Sequence, residues 1–164
     1  MKKVTTMSAG YVSLDDTTLK AVLDDFAKNG KARVHLGVLG GSVDRAEPGA
    51  SNAVIGAAHE FGVVDKNLPA RSWLRMPVIT ELPAALMVTN KELLHRIIIK
   101  KGILGALEIL GVYAMDVVML AFDTGGFGHW EALSPKTIKR KGSAAILIDT
   151  AQLRKSVTAE VFDK

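Results

Sequence analysis

The chain of 164 residues lies within the usual size range of one domain, and it is 48% hydrophobic but only 5% aromatic. It contains no cysteine, which excludes disulfides and thiolate metal sites, and its net charge of +4 permits contact with nucleic acid without requiring it. We therefore expect a single domain over 1–164 with an aliphatic core and extended loops at about 40–51 and 123–145.

The first part of the chain predicts a helix followed by a strand. Residues 14–29 repeat apolar side chains at helical spacing, and Ser13 with Asp16 resembles a capping box at the start. Residues 31–39 alternate apolar and polar side chains, which is typical of a half-buried strand in an antiparallel or mixed sheet.

A short second helix is expected after the glycine-rich loop. Asn52 is predicted to cap this helix and Gly62 to end it. Its predicted apolar side consists of Val54, Ile55, Ala58 and Phe61.

The middle of the chain predicts two further helices, over about 83–101 and 103–121. Pro77 and Pro83 argue against one unbroken helix through the preceding turn. The predicted apolar face of the second helix consists of Ile103, Leu107, Leu110, Ala114, Val117, Val118 and Ala121. Gly105, Glu108, Val112 and Asp116 share much of the other face. The stripe of Gly105, Glu108, Gly111 and Asp116 is a candidate face for close contact with another helix or subunit, and a solvated edge explains it equally.

The segment 103–122 is also long enough to cross a bilayer. Glu108 and Asp116 lie well inside it, and each costs roughly 2.5–3.5 kcal/mol on insertion scales. We therefore expect a soluble protein that makes no membrane contact.

The last part of the chain predicts short helices and a closing strand. Ser134 followed by proline is a typical helix start, and Asp149 with Gln152 resembles a capping box for another helix. Residues 156–162 alternate like a strand. Few strands among many helices predict an α+β fold, in which a small mixed or antiparallel sheet packs with several helices and long loops project.

His59 and Glu60 are an adjacent pair that resembles the start of a metal or acid–base site. The second histidine that a zinc-binding HExxH motif needs one helical turn later is missing. The glycine-rich stretches 37–42 and 125–128 lack the spacing of phosphate-binding and dinucleotide-binding loops. We predict no metal site, no cofactor and no enzymatic activity, and we interpret His59 as a capped or hydrogen-bonded residue near a helix end.

A basic cluster follows aromatic residues in the predicted 123–145 loop. The aromatic residues are Phe127, His129 and Trp130, and the cations are Lys136, Lys139, Arg140 and Lys141. Basic groups mixed with aromatic rings can bind single strands through charge and stacking. A solvated basic face explains the same cluster.

Three stretches carry motifs in a defined order: NAVIGAAHEFG with LPARSWLR (52–75), WEALSPKTIKRK (130–141) and LIDTAQLRKSV (147–157). They resemble N-A-x-I-A-x-x-H-E-F-G with I-P-A-R-P-F-L-R, W-x-x-L-S-x-x-T-I-x-x-K and L-I-D-T-G-Q-L-R-x-S-I. These are motifs of the virion morphogenesis and tail-completion proteins of Mu-like and P2-like tailed phages, a family related to neck and tail-component proteins. Ser72-Trp73 replaces Pro-Phe, and Ala151 replaces Gly, which predicts that residue 151 does not need a left-handed backbone.

The resemblance implies a structural virion protein that acts in tail completion or head–tail joining. It implies a ring of identical subunits, sixfold or twelvefold, around the channel through which DNA passes. The expected partners are connector, neck or tail-tube proteins, with non-specific contact to passing DNA. The expected location is the neck or tail end of the virion, after assembly in the host cytoplasm.

Interface residues are expected where tryptophan and arginine are concentrated, since both are enriched at protein interfaces. The predicted subunit-interface residues are Arg71, Trp73, Arg75, Trp130, Glu108 and Asp116. The predicted DNA contacts are Lys136, Lys139, Arg140 and Lys141. Two alternatives stay open: Trp73 fills the core of its own domain while the arginines pair with local acids, or the chain is a basic nucleic-acid-binding accessory protein.

Overall fold

The computed structural model describes residues 15–40, 49–88, 91–148 and 151–163. They form an α+β fold, as predicted, in which helices pack on a two-stranded antiparallel sheet. The elements are α1 Asp16–Asn29, β1 Arg33–Val38, α2 Asn52–Phe61, a 3-10 turn Val64–Lys66, α3 Arg75–Thr80, α4 Leu82–Val88, α5 Lys91–Thr124, α6 Pro135–Lys141, α7 Gln152–Lys155 and β2 Val157–Phe162.

The sheet pairs the two strands along their full length. Arg33 lies opposite Phe162 at one end, and Val38 lies opposite Val157 at the other. The alternation predicted for the first strand is confirmed, because Val34 is half-buried and Arg33 and His35 are exposed. The His35 ring lies 4.3 Å from the ring of Phe162, which covers part of the outer face.

Helix α5 packs across the sheet and supplies six of the ten buried apolar side chains in the described part of the chain. Its contact with the sheet is close at Gly111, where a Cβ would lie 3.2 Å from the Cβ of Ala159. Gly111 is buried there, whereas Glu108 and Asp116 of the predicted stripe are exposed. Glu108 and Gly111 line one cleft beside β2. The main cluster of buried side chains consists of Trp73, Val118, Ala121, Phe122, Trp130, Leu153 and Val157.

A kink divides α5 into arms over 91–101 and 103–124, at the boundary predicted between two helices. The first of these predicted helices, over about 83–101, corresponds to α4 and the first arm, with residues 89–90 outside the described part of the chain. Gly102 has a non-helical backbone with φ 70° and ψ −172°. Asp25 of α1 caps the second arm, because its Oδ2 accepts a hydrogen bond from the N–H of Ile103 at 2.7 Å. The same carboxylate accepts a hydrogen bond from the side-chain amide of Asn29. These hydrogen bonds, that of Ile103 above all, lower the pKa of Asp25.

Two helix starts differ from their predictions. The Oδ1 of Asp15 caps α1 by accepting from the N–H of Thr18, and Ser13 lies outside the described residues. Helix α2 is capped one residue earlier than predicted, by Ser51, whose hydroxyl accepts from the N–H of Val54.

The apolar side predicted for α2 is wrong for two of its four residues. Val54 and Phe61 are exposed. The buried residues of the helix are Asn52, Gly56 and Glu60, each one turn from the next. The helix therefore packs through a small and polar stripe.

The segment 123–145 is more regular than predicted. Helix α5 continues to Thr124, and Ser134 caps α6 by accepting from the N–H of Thr137, as expected. Gly126 and Trp130 are buried, so this part of the segment packs on the body of the protein. In the other predicted loop, residues 41–48 lie outside the described part of the chain.

The start of α7 also departs from expectation. Asp149, the predicted cap, lies outside the described residues. Ala151 precedes the helix with φ 58° and ψ 11°, which is the left-handed conformation. The prediction that residue 151 avoids this conformation was therefore wrong.

One helix in the described part of the chain, Leu93–Thr124, is long and apolar enough to cross a membrane. Within its most apolar window, 28% of the residues are buried inside the fold. Val112 and Leu120 are among its exposed side chains. The helix thus combines a side packed on the sheet with an outer side that is still apolar.

Candidate functional site

The carboxylate of Glu60 is the centre of a hydrogen-bond network. Its Oε1 accepts from the hydroxyl of Ser72 at 2.6 Å and from the N–H and Nε of Arg75 at 3.2 Å each. Its Oε2 accepts from the N–H of Leu74 at 2.9 Å. Glu60 is only 5% exposed, so it ties α2 to the turn at 71–75 from inside the fold.

The environment of Glu60 keeps it ionised. Burial alone would raise its pKa, but the hydrogen bonds from Ser72, Leu74 and Arg75 outweigh burial, so that the pKa is lowered. Both oxygens are engaged with donors of the same chain. The carboxylate therefore holds the 71–75 turn in place.

The serine that replaces proline in the motif has two roles in this network. Besides donating to Glu60, the hydroxyl of Ser72 accepts from the N–H of Met76 at 3.0 Å, in the first turn of α3. Arg75 begins that helix, with a side chain 61% exposed and its guanidinium 5.0 Å from the ring centroid of Phe61. Arg75 therefore combines an internal ion pair with an exposed surface.

Trp73 and Trp130 are both in the core. Trp73 is 3% exposed, and its Nε1 donates to the carbonyl of Gly56 at 2.8 Å. Trp130 donates to the carbonyl of Ser72 at 3.3 Å. The ring of Phe122 lies between the two indoles, with centroids 5.8 Å from Trp73 and 5.9 Å from Trp130.

Arg71 links the turn to the segment before α6. It is 5% exposed, and its Nε and Nη2 both donate to the carbonyl of Glu131 at 3.0 Å. Its own N–H donates to the carbonyl of His59 at 2.7 Å. Because a carbonyl carries no net charge, this contact holds the buried guanidinium without neutralising it.

The six predicted interface residues therefore separate into two groups. Arg71, Trp73 and Trp130 are buried within the chain, so their side chains offer little surface to another subunit. For Trp73 this agrees with the alternative interpretation, in which the residue fills the core of its own domain. The other three, which are exposed, are Arg75, Glu108 and Asp116. Their place in a subunit interface stays a prediction.

A basic cavity of about 480 Å³ lies beside this network. We use the name basic cavity for the space lined by His59 of α2, Lys66 and Arg71 of the following turns, and Arg140 and Lys141 of α6. No aspartate or glutamate is among the described residues that line it. Its remaining lining is formed by Ile55, Asn67, Leu68, Pro69, Leu133, Thr137, Leu147, Ala151, Gln152 and Leu153.

The four predicted DNA-contact residues do not act as one cluster. Arg140 and Lys141 line the basic cavity, whereas Lys136 and Lys139 are exposed and lie outside its lining. The sequence did not indicate that Lys66 joins them, because it is far from α6 along the chain and stands alone in the 3-10 turn.

His59 borders the basic cavity in its neutral form. Burial, followed by the charges of Arg71 and Lys141, lowers its pKa. Its Nδ1 is buried and has no hydrogen-bond partner among the described residues, so the hydrogen bond expected for this side chain is not found at that atom.

No set of three or more histidine, aspartate or glutamate side chains in the described part of the chain could hold a metal ion. Comparison of the chain with protein-family models, with curated proteins and with solved structures found no match in any of the three.

Proposed function

We propose that this chain is a structural protein of a tailed-phage virion, which acts in tail completion or head–tail joining as one subunit of a ring around the DNA channel. The observation that carries the proposal is the convergence of the three motif stretches. Arg71 of the first binds the carbonyl of Glu131 in the second, and Leu153 of the third approaches Gly56 and lies in one core with Trp73. The motif residues thus form one folding unit, as a shared structural role requires.

Exposed apolar side chains support assembly with other subunits. Met87 of α4 is 85% exposed. A groove of about 520 Å³ beside it, between α4 and the two arms of α5, is lined by Leu86, Met87, Leu94, Ile97, Ala106, Leu107, Ile109, Leu110 and Tyr113. Contiguous apolar surface of this kind marks interaction sites in soluble proteins.

The charge distribution suits a ring in which each subunit contacts the next with a different face. Closed rings use heterologous interfaces, which need two unlike surfaces that complement each other. The basic residues of α6 form one such surface. Glu108 and Glu160 line a cleft between α5 and β2 and give that cleft an acidic character.

Light scattering over a concentration series, with negative-stain images of the same samples, tests the proposal. We expect masses that are multiples of the 17.5 kDa chain and closed rings in the images. Met87→Glu in the apolar groove should shift the chain towards the monomer. Val64→Glu is the matched control, because Val64 is 91% exposed and lies in the 3-10 turn, outside the groove.

A wild-type chain that stays monomeric at every concentration and does not bind purified phage tails would contradict the proposal. The second candidate function is the nucleic-acid-binding accessory protein, which the basic cavity favours. Tight binding of DNA by the monomer at physiological salt, without binding to tails, would support that alternative.

A further inference from the structure

We propose that two copies of this chain contact each other through an apolar and basic face of α2 and an apolar and acidic stripe of α5. The α2 face consists of Val54, Ala57, Phe61 and the neighbouring Arg75. The α5 stripe consists of Glu108, Val112, Asp116 and Leu120. This inference rests on the proposed function, because it names the two surfaces through which one subunit holds the next. Each surface belongs to a segment that the structure describes without a gap, 54–75 and 108–120.

The α2 face is apolar although it is turned towards solvent. Val54 and Phe61 are 59% and 65% exposed, and Ala57 between them is exposed as well. Their spacing of three and four residues places them on one side of the helix. Because α2 buries a small and polar stripe and exposes apolar side chains, its outer side is suited to being covered by a partner.

Arg75 adds a positive charge to one end of the α2 face. Its guanidinium lies 5.0 Å from the ring centroid of Phe61. The Nε of Arg75 binds Glu60, whereas Nη1 and Nη2 make no hydrogen bond with any residue that the structure describes. These terminal nitrogens still carry N–H donors, so Arg75 can bind a carboxylate of another subunit.

The α5 stripe is opposite in charge and equally apolar. Its residues repeat every four positions, so they follow one side of the helix, and all of them are exposed. Val112 and Leu120 are 58% and 49% exposed. No ion pair or side-chain hydrogen bond joins Glu108 or Asp116 to a residue in the described part of the chain. The stripe therefore presents carboxylates and apolar side chains that an apolar and basic partner complements.

The two surfaces also agree in length. With a rise of about 1.5 Å per residue, the two large apolar side chains of the α2 face are about 10 Å apart along the helix, and those of the α5 stripe about 12 Å. Antiparallel packing of the two helices places Phe61 against Val112. Since Arg75 lies beside Phe61, it reaches Glu108 in this arrangement. The same packing brings the remaining two large apolar side chains together.

The contact is heterologous, because the two surfaces lie on different elements, and it can therefore be repeated from one subunit to the next. The basic residues of α6 are less suited to the α5 stripe, since no large apolar side chain of that fully described helix is exposed. The α5 stripe borders the apolar groove, because Tyr113 of the groove directly follows Val112. A subunit that docks on the stripe therefore also approaches the groove.

Cysteine cross-linking tests the contact directly, because the wild-type chain contains no cysteine. F61C is mixed with a mass-tagged V112C chain and oxidised mildly, and denaturing gels without reductant measure the mixed dimer. A disulfide needs Cβ atoms about 3.5–4.5 Å apart, so we expect at least about tenfold more mixed dimer than in L23C with V112C. Leu23 of α1 is the matched control, because it is 58% exposed and lies outside both surfaces.

Charge substitutions test the complementarity of the two surfaces. F61E places a carboxylate against the acidic stripe and should weaken association by about tenfold or more. V112K supplies the opposite charge on the facing stripe, so the double variant F61E/V112K should recover most of this loss. L23E should change association by less than about twofold. Light scattering measures association, and thermal unfolding shows that each variant keeps the fold.

The outcomes separate this contact from the proposed function. Wild-type rings without preferential cross-linking between residues 61 and 112 would overturn the contact and leave the ring proposal standing. Failure of V112K to restore the association lost in F61E would overturn the pairing of the two surfaces as well. Preferential cross-linking that yields only open chains would support the contact and contradict the ring. A wild-type chain that stays monomeric, alone and with purified tails, would overturn both.

Discussion

The indole of Trp73 donates a hydrogen bond to the carbonyl of Gly56 at 2.8 Å, and a Cβ at Gly56 would lie 3.0 Å from the Cζ2 of the same ring. The motif that this chain resembles has alanine at the position of Gly56 and phenylalanine at that of Trp73. Compared with the motif, this chain thus has a larger ring at residue 73 and lacks the alanine methyl group at residue 56. We therefore expect the two departures to compensate each other in volume.

A double-mutant cycle tests this compensation. G56A should destabilise the protein by about 1–3 kcal/mol, because the core has no space for the added methyl group beside the indole. In the W73F background the same change should cost less than about 1 kcal/mol, since the smaller ring leaves room. Urea unfolding measures the free energy of unfolding of the wild type, G56A, W73F and the double variant. Additive effects of the two substitutions would contradict the compensation.

The Glu60 network predicts a specific loss of stability in acid. Since the pKa of Glu60 in the folded protein lies below its ordinary value of 4.5, its contribution is complete above that value and is lost as the pH falls through the lowered pKa. E60Q should destabilise the protein by about 2 kcal/mol at pH 7, because charged acceptors form the stronger hydrogen bonds.

Thermal unfolding of the wild type and of E60Q from neutral to acidic pH measures this effect. The difference between them should shrink as the pH falls below the lowered pKa. E131Q is the control, because the side chain of Glu131 is exposed and only its carbonyl is used by Arg71. A difference that is independent of pH would show that the charge of Glu60 is not what stabilises the turn.

The cap formed by Asp25 should protect the amide of Ile103, next to the kink in α5, from hydrogen exchange. D25A removes the acceptor of the Ile103 N–H, so this amide should exchange with solvent faster than in the wild type. D24A is the matched control, because Asp24 is the exposed neighbour on the same helix. Residue-resolved hydrogen exchange measures both. Unchanged exchange at Ile103 in D25A would show that the cap does not restrain the start of the second arm.

Replacing Ala151 by glycine should stabilise the protein. An L-residue with a side chain pays roughly 1–2 kcal/mol for the left-handed conformation, so A151G should raise the free energy of unfolding by about 1 kcal/mol. The same change at Ala57, exposed in the interior of α2, should lower it by about 0.5–1 kcal/mol. Urea unfolding measures the free energy of unfolding of both variants, and the two changes should have opposite signs. A loss of stability in A151G would argue against a left-handed residue 151.

Local sequence patterns predicted the elements that depend on local preferences. The alternation of β1, the Ser134 cap of α6 and the division of α5 near residue 102 are all visible in the sequence. What the patterns missed depends on contacts between distant segments. The buried stripe of α2 includes Glu60, which is tolerated inside only because the 71–75 turn supplies its donors.

The site was less predictable than the fold for the same reason. Residues 136–141 suggested one basic cluster, but a helix distributes neighbouring side chains over different directions, so only Arg140 and Lys141 reach the cavity. Lys66 has no sequence pattern that connects it to them. From the sequence alone, Asp25 likewise resembles an ordinary acidic residue on a helix surface. Its capping role depends on the fold, which brings its carboxylate next to the N–H of Ile103.

The packing of Trp73 and Trp130 on either side of Phe122 has a spectroscopic consequence. The chain has two tryptophans, and both are buried in this one core. Intrinsic fluorescence therefore reports on the solvation of the motif core, while the apolar groove contains no indole. Docking of another subunit there should leave the emission maximum unchanged, whereas opening of the core should shift it to longer wavelength.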